Sequence, residues 1–258
     1  MLAGSTTLAR VLLTRLGIPK LWGEDVDRGW VLARSLVSPT TLALAPGSYG
    51  YGLDRVPRSG GAVLAANHLA AIDHSLIGTF CPRNIHYMAK VELMEMPFVG
   101  EILSWIGTFP VRRGEGDRQA LRRARELVRE GHVVGVHVEG TRQRLGYPGP
   151  VKIGGMMIAM QEGVPVYPCA VETFRWSLDN PRACSVVWGE PIDLGGLKRN
   201  REGYEEAMHI VGDEIVRLWR LACEAVARGF PPVLSDGARR YRSYIPWVVR
   251  GRKEPVPG

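Results

Sequence analysis

The sequence has few cysteines and no apolar run long enough to cross a membrane. Its four cysteines, Cys81, Cys169, Cys184 and Cys223, lie far apart, and none forms a C-x-x-C pair. This spacing argues against a disulfide framework or a cysteine-based zinc site and favours a reducing cytoplasmic setting. A membrane-spanning helix needs about 18 or more apolar residues. Because Arg10 and Arg15 interrupt the apolar N-terminus, we predict neither a span nor a signal peptide there.

Acidic residues are also fewer than basic ones. The 258 residues include 26 Asp and Glu against 33 Lys and Arg, which gives a net charge of +7. Such a balance suits nucleic acid, phosphorylated small molecules or an anionic membrane surface, although on composition alone ordinary solubility is the first explanation. With 45% hydrophobic residues, the chain is large enough for one α/β domain with a small appendage.

The N-terminal part has the periodicity of two short amphipathic helices, over residues 5–17 and 28–45, with Pro39 breaking the second. These helices either pack on the domain or form a membrane-associating foot, with Trp22 and Trp30 at the depth of the lipid headgroups. We delimit residues 1–46 as this amphipathic helical segment and predict that it associates with membranes.

From residue 60 onward, short apolar runs alternate with helical segments. The predicted strands are "GAVLAA", "NIHYMA", "TFPVRR", "HVVGVHV", "VPVYPCAV" and "CSVVWGEPI". The predicted helices cover residues 73–80, 97–106, 118–130, 153–162 and 201–228, and Asp117 and Gly131 are placed to begin and end the third. This alternation predicts an α/β domain over residues 47–230, with a mixed, largely parallel sheet flanked by helices.

The C-terminal tail, residues 231–258, is basic and aromatic. Residues 239–253 contain six basic side chains and no acidic one, interleaved with two tyrosines and a tryptophan. A solvated tail is the default interpretation, and a second contact with an anionic surface is the alternative.

The stretch "AANHLAAIDHS", residues 65–75, places His68 and Asp73 five positions apart. Residues on one helical face are three or four apart, whereas five suits a turn that folds a carboxylate back onto an imidazole. A carboxylate that binds one ring nitrogen leaves the other nitrogen able to take a proton. The simpler alternative is that Asp73 only caps the helix that follows.

Three further segments carry polar groups next to predicted strands. In "GTFPVRRGEGD", Arg112 and Arg113 precede a glycine-rich loop, where forked guanidinium donors can bind a phosphate. In "HVEGTRQ", residues 139–142 follow a hydrophobic strand, at the position where open α/β sheets bind ligands. In "VKIGGMMIAM", Lys152 precedes a glycine pair, and the methionines either line an apolar groove or, more simply, fill the core.

Taken in order, these four segments resemble the motif blocks of the lysophosphatidic acid acyltransferase (1-acylglycerol-3-phosphate O-acyltransferase) family. The matching positions are Asn67, His68 and Asp73 for N-H-x-x-x-x-D, Gly107 and Arg113 for G-x-x-x-V-x-R, Glu139, Gly140, Thr141 and Arg142 for E-G-T-R, and Lys152, Gly154, Val164, Pro165 and Pro168 for K-x-G and V-P-x-x-P. The resemblance covers about residues 50–192. His137-Val138 stands where the family usually has Phe-Pro, and Arg112 stands where it often has Asp. These departures concern the acceptor more than the reaction class.

The resemblance implies transfer of a fatty acyl group from acyl-CoA or acyl carrier protein to lysophosphatidic acid, which makes phosphatidic acid in phospholipid synthesis. His68 would be the general base and Asp73 would fix its tautomer. The implied substrate-binding residues are Asn67, Arg112, Arg113, Glu139, Gly140, Thr141, Arg142 and Lys152. No metal or cofactor is implied beyond the thioester co-substrate. The expected partners are the two substrates and an anionic membrane surface, not nucleic acid, with peripheral or monotopic attachment at the cytoplasmic face of the cell membrane.

Other functions remain compatible with the sequence. The acceptor could be glycerol-3-phosphate or a non-phosphate lysolipid. A metal-dependent hydrolase could use His68, Asp73, His74, His137 and Glu139, although their spacings match no familiar zinc pattern. A non-enzymatic basic membrane-binding module is a further alternative. A metal assay separates the hydrolase from the transferase, and loss of activity in His68→Ala with intact membrane binding would favour the enzyme over the module.

Overall fold

The computed structural model describes residues 28–97, 99–112 and 117–228. The strands are β1 (Tyr49–Tyr51), β2 (Ala62–Ala66), β3 (Ile85–Lys90), β4 (Phe109–Val111), β5 (Val133–His137), β6 (Val166–Glu172) and β7 (Ser185–Trp188). The α-helices are α1 (Arg28–Leu44), α2 (Asp73–Phe80), α3 (Val91–Met94), α4 (Val99–Trp105), α5 (Arg118–Arg129), α6 (Ile153–Glu162) and α7 (Arg201–Arg228), and a 3-10 turn covers Leu53–Arg55.

The described strands form one mixed sheet in the order β1-β7-β6-β2-β5-β3-β4. Every neighbouring pair is parallel except β6 and β7, which are antiparallel. The predicted α/β class and largely parallel sheet are therefore confirmed. Strand β2 lies inside the sheet between β5 and β6, so the loop that follows it emerges among the carboxyl ends of several strands.

The two faces of the sheet bury separate cores. Side chains alternate along β2, so that Leu64 faces one core, with Trp188, while Val63 faces the other, with Ile158 and Ile215. Helix α2 covers the first face, and α5, α6 and α7 cover the second. Helices on both faces leave the strand ends as the accessible place for a ligand.

Local helix signals are confirmed where they are strongest. Asp117 accepts hydrogen bonds from the backbone N–H groups of Gln119 and Ala120, both at 3.0 Å, and so caps α5. Gly131 follows the helix with φ of 89°, a conformation that favours glycine. The observed bounds of α2, α6 and α7 agree with the predicted residues 73–80, 153–162 and 201–228.

Helix α1 corrects two expectations about the N-terminal segment. It continues through Pro39 instead of breaking there, because α1 is held by packing against α2 and α4 although proline removes one backbone hydrogen bond. The Arg34 guanidinium donates to the carbonyl oxygens of Thr79, at 2.7 Å, and Cys81, at 2.6 Å. Trp30 is 4% exposed and so lies inside the protein, not at headgroup depth. Residues 5–17 and Trp22 lie outside the described residues.

Strand β1 was not predicted, since the sequence there, "PGSYGYG", is typical of turns. Its three residues pair with β7 in parallel, Tyr49 opposite Ser185, so a distant segment supplies the hydrogen bonds. Gly50 packs against the ring of Phe80, where an added Cβ would lie 2.7 Å from Cγ. An edge strand of this length and composition has no alternating pattern to detect.

Two smaller expectations are confirmed. All four cysteines are free thiols, and Cys81, Cys169 and Cys184 are buried. Met156 and Met160 are buried in the core that α6 faces, so they fill the interior and do not line a groove. Among the helices described here, none is both long and apolar enough to cross a bilayer.

Candidate active site

The loop between β2 and α2 brings His68 and Asp73 into direct contact. His68 Nδ1 lies 2.8 Å from Asp73 Oδ2, which also accepts from the backbone N–H groups of Leu69, at 2.6 Å, and Ala70, at 2.9 Å. Asp73 is the first residue of α2, and its carboxylate points back into the loop. It therefore does not cap the helix, whose N-cap position is Ile72, and the turn expected from the five-residue spacing is present.

Asp73 has a further partner that sequence reasoning missed. Thr173 Oγ1 donates to Asp73 Oδ1 at 2.6 Å, and Thr173 is buried. Thr173 lies just beyond β6, which pairs with β2, so the sheet brings together residues that are 100 positions apart in the chain. No local sequence pattern signals this contact.

These contacts fix the tautomer of His68. Asp73 is 0% exposed and both of its oxygens accept hydrogen bonds, so we assign the imidazole proton to Nδ1. The Nε2 atom then carries the lone pair. His68 is 7% exposed and lines a cavity, which places that lone pair where a substrate proton can reach it.

The cavity next to His68 has a volume of about 720 Å³ and lies between α1, α2, β3, α3 and α4. Its apolar lining includes Val37, Met88, Leu93, Met96, Leu103 and Ile106. Polar side chains on its wall include His68, His74 and Arg142. An elongated apolar ligand with a polar group fits this distribution of side chains.

Asn67 holds the loop in place and does not face a substrate. Its side chain is fully buried, Nδ2 donates to the Val171 carbonyl at 3.0 Å, and Oδ1 accepts from the Val171 N–H at 2.8 Å. Both ends of the amide are thus bonded to β6. The predicted substrate-binding role of its side chain is corrected to a positioning role, because burial and pairing remove it from the cavity.

His137, at the end of β5, stacks on His68 with ring centroids 4.2 Å apart. The Asn67 carbonyl lies 2.8 Å from Nδ1, which therefore donates, while Nε2 is shielded from solvent and has no hydrogen-bond partner among the described residues. Desolvation, reinforced by His74 and His68, lowers the pKa of His137 well below its usual value, so the ring is neutral.

Glu139 is also turned inward. Its Oε1 accepts, at 3.4 Å each, from the N–H groups of His68 and Gly149, and burial raises the pKa of its carboxyl to about 7. No described arginine pairs with it. Glu139 Oε2 is buried without a hydrogen-bond partner among the described residues, and Glu139 does not line the cavity. Its contact with substrate stays a prediction.

The rest of the E-G-T-R segment faces solvent. Gly140, with φ of 70°, uses its N–H to donate to the His137 carbonyl at 2.9 Å, so this group is not free for an oxyanion. Lys152 lies over Gly140, with Nζ 3.0 Å from the position a Cβ would take. Thr141, Arg142 and Lys152 are exposed, and they form the group that we call the cationic loop.

The two arginines of the glycine-rich segment are placed differently. Arg112 follows β4 at the edge of the sheet, is exposed, and donates its backbone N–H to Asp117 at 2.9 Å. It does not line the cavity next to His68, so the structure does not join it to the site. Arg113 lies outside the described residues, and its phosphate-binding role stays a prediction.

A histidine–carboxylate pair at the strand ends of an α/β sheet, beside an apolar cavity, suits acyl transfer to a hydroxyl. In agreement, residues 50–172 match the sequence profile of the family described as Acyltransferase. The crystal structure of the 1-acyl-sn-glycerophosphate (LPA) acyltransferase, PlsC, from Thermotoga maritima superposes with a TM-score of 0.61 at 22% identity, covering 82% of this chain and 88% of that one. At this identity the likeness establishes the fold.

Two curated relatives are more similar in sequence. A 1-acyl-sn-glycerol-3-phosphate acyltransferase of Bacillus subtilis is 33% identical over 154 residues, which are 58% of this chain and 76% of the relative. An enzyme of the same name from Borreliella burgdorferi is 33% identical over 178 residues, 64% of this chain and 69% of the relative. The chain belongs to the 1-acyl-sn-glycerol-3-phosphate acyltransferase family, and the resemblance seen in the four motif blocks is confirmed.

Proposed function

We propose that this protein transfers a fatty acyl group from a thioester to the free hydroxyl of lysophosphatidic acid and so makes phosphatidic acid for phospholipid synthesis. The observation that carries the proposal is the His68–Asp73 pair on the wall of an apolar cavity that Arg142 also lines. The names of the two bacterial relatives support the same acceptor.

The chemistry follows from the tautomer of His68. An alcohol is a poor nucleophile at neutral pH, so His68 Nε2 takes the hydroxyl proton as the oxygen attacks the thioester carbonyl carbon. Asp73 stabilises the resulting imidazolium. The tetrahedral intermediate collapses, the carbon–sulfur bond breaks, and the imidazolium returns the proton to the thiolate sulfur. General-base assistance of this kind contributes about 10²–10⁴-fold to the rate.

Direct attack by the acceptor is favoured over a covalent acyl-enzyme. In the described part of the chain, no serine or cysteine side chain hydrogen bonds to a ring nitrogen of His68, and three of the cysteines are buried. A nucleophilic residue would need such an adjacent base.

The cavity and the cationic loop divide the substrates between them. The apolar lining suits an acyl chain, whereas Thr141, Arg142 and Lys152, together with Arg113, suit the acceptor phosphate. The donor carrier is either coenzyme A or acyl carrier protein, and no cofactor beyond this co-substrate is required.

We further propose that the protein acts at the cytoplasmic face of the cell membrane as a peripheral or monotopic protein. Both substrates carry acyl chains and reside in or near a bilayer. The net charge of +7 and the amphipathic pattern of residues 5–17 suit an anionic lipid surface.

The deciding experiment is a thiol-release assay with acyl-CoA and acyl carrier protein donors against lysophosphatidic acid, glycerol-3-phosphate and a lysolipid without phosphate. We expect lysophosphatidic acid to be the preferred acceptor and His68→Ala to abolish the signal. The proposal would be overturned if none of the three acceptors is acylated, or if the lysolipid without phosphate is the preferred acceptor. Loss of turnover after metal removal would instead favour a hydrolase.

A further inference from the structure

Three imidazoles from separate elements meet beside the cavity. His68 follows β2, His74 lies in α2 and His137 ends β5, and their ring centroids are 4.2 to 5.1 Å apart. One ring nitrogen from each lies within 4.8 Å of one from each of the others. Acyl transfer by a histidine–aspartate pair needs only the first of these rings, so the other two have no assigned purpose.

Two of the rings are anchored as metal-binding imidazoles usually are. His68 Nδ1 contacts the Asp73 carboxylate and His137 Nδ1 contacts the Asn67 carbonyl, both at 2.8 Å. A carboxylate or carbonyl partner on one nitrogen orients the other nitrogen, with its lone pair, toward a cation. His137 Nε2 is buried without a partner among the described residues, and buried polar atoms rarely remain so. A bound cation would satisfy it.

We propose that His68, His74 and His137 form an inhibitory site for a zinc-class transition-metal cation. Imidazole nitrogens suit zinc, copper and nickel, and zinc accepts three histidines with one open position. The nitrogens of a tetrahedral zinc site lie about 3.3 Å apart, so the three rings must move closer together. The stacked rings of His68 and His137, whose planes differ by 22°, must also rotate so that both lone pairs point at one cation. The buried Asp73 carboxylate offsets part of the cation's charge, whereas Arg142 is exposed and its charge is screened.

Binding would inhibit because it uses the atom that catalysis needs. In the proposed function, His68 Nε2 takes the acceptor proton, and a cation on the same lone pair prevents this. The inhibitory half of the inference therefore rests on the proposed function, while the binding half rests on the geometry alone. The metal is an inhibitor here and not a participant in the reaction.

Binding is tested directly on the full-length protein, without an affinity tag and after EDTA treatment. We expect Co²⁺ titration to give one equivalent with the intense visible bands of four-coordinate cobalt, displaced by Zn²⁺. His137→Phe and His74→Phe should each weaken binding more than about tenfold, since losing even an outer-shell partner costs roughly 10–100-fold. The matched controls are His209→Gln, at an exposed position of α7, and His132→Gln, beside His86, and both should bind as wild type does.

Inhibition is tested in the thioester assay. Zn²⁺ should lower wild-type turnover reversibly, with EDTA restoring it, whereas the turnover of His137→Phe, measured against its own metal-free value, should resist Zn²⁺. Equal Zn²⁺ sensitivity of wild type and His137→Phe would overturn the inference, as would cobalt binding that only His132→Gln abolishes. Should no acyl transfer occur at all, the cobalt titration still decides whether the site exists, and the proposed function alone fails.

Discussion

The two halves of the site are built in opposite ways. On the side of the base, His68, Asp73 and Thr173 are buried and joined by hydrogen bonds of 2.6 and 2.8 Å. In the cationic loop, by contrast, the side chains are exposed. The proposed base is thus fixed in advance in a dry setting, whereas the charges proposed to bind phosphate are hydrated, and a ligand that excludes water would strengthen them.

Removing the proposed base should have the largest effect on turnover. We expect His68→Ala to lower kcat by about 10²–10⁴-fold because the base is lost. The ring also packs on His137, so the unfolding scan establishes that the variant is folded at the assay temperature. Asp73→Asn should be damaging, but less so. The measurement is steady-state turnover with a matched unfolding scan, and near-normal turnover in folded His68→Ala would refute the assignment.

The exposed half should respond in acceptor binding and not in the chemical step. Losing a charge-assisted contact costs about 1.5–3 kcal/mol, so Arg142→Ala should raise the acceptor KM roughly tenfold to a hundredfold. Arg113→Ala should act likewise. The KM for the thioester should stay unchanged, and Arg144→Ala, in the same loop, is the control. An unaltered acceptor KM in both variants would place the phosphate elsewhere.

Variants of Thr173 test whether turnover depends on the hydrogen bond that Thr173 donates to Asp73. Thr173→Val leaves one oxygen of the buried Asp73 carboxylate without a donor, which costs about 1–3 kcal/mol and should lower kcat about tenfold. It should also shift the pH profile of kcat, because the carboxylate beside His68 loses a hydrogen-bond donor. Thr173→Ser keeps the hydroxyl and should restore both; equal behaviour of the two variants would assign Thr173 to packing alone.

Glu139 offers a smaller effect, on stability. Its carboxyl pKa is raised from 4.5 to about 7, so the folded protein holds the proton more tightly than the unfolded chain. This contribution is present below pH 4.5 and is lost as the pH rises through 7. Relative to wild type, Glu139→Gln should therefore gain up to about 3 kcal/mol of unfolding free energy between pH 5 and pH 8. Denaturant titrations of both proteins at pH 5 and pH 8 measure this difference in unfolding free energy. A difference that is the same at both pH values would show that folding does not change the pKa of Glu139.

The smallest expected effect concerns the membrane. Full-length protein should co-sediment with anionic vesicles more than with neutral ones, and less so at high salt, because the basic groups act through a screened field. Deleting residues 1–27 should weaken this binding. The deletion stops there because α1 packs on α2 and lines the cavity. Protein that remains in the supernatant under every condition would exclude this attachment.

The parts of the fold that could be predicted are those encoded locally. Asp117 and Gly131 mark the ends of α5 by their own chemistry, and the alternation of apolar and helical segments gave the sheet class. The predicted helix break at Pro39 was wrong, since the local effect of proline is outweighed by the packing of α1. Strand β1 has no pattern of its own and exists because β7 pairs with it.

In the candidate site, too, contacts within one loop could be predicted and contacts between distant segments could not. The spacing of His68 and Asp73 predicted their contact, because both lie in one loop. Thr173 and the ring of His137 reach the pair only through the order of the strands, which no short stretch encodes. The inward positions of Asn67 and Glu139 depend on which backbone groups lack partners once the sheet has formed.

The Asn67 side chain imitates a peptide group at the point where β2 leaves the sheet, donating to and accepting from Val171 as a neighbouring strand would. Slipping the pairing of β2 and β6 by one residue would turn every side chain to the opposite face and break both bonds. It would also part Asp73 from Thr173. A chain with the wrong register therefore loses the groups that hold the His68–Asp73 loop together with the correct sheet pairing, so we expect a misfolded chain to be inactive.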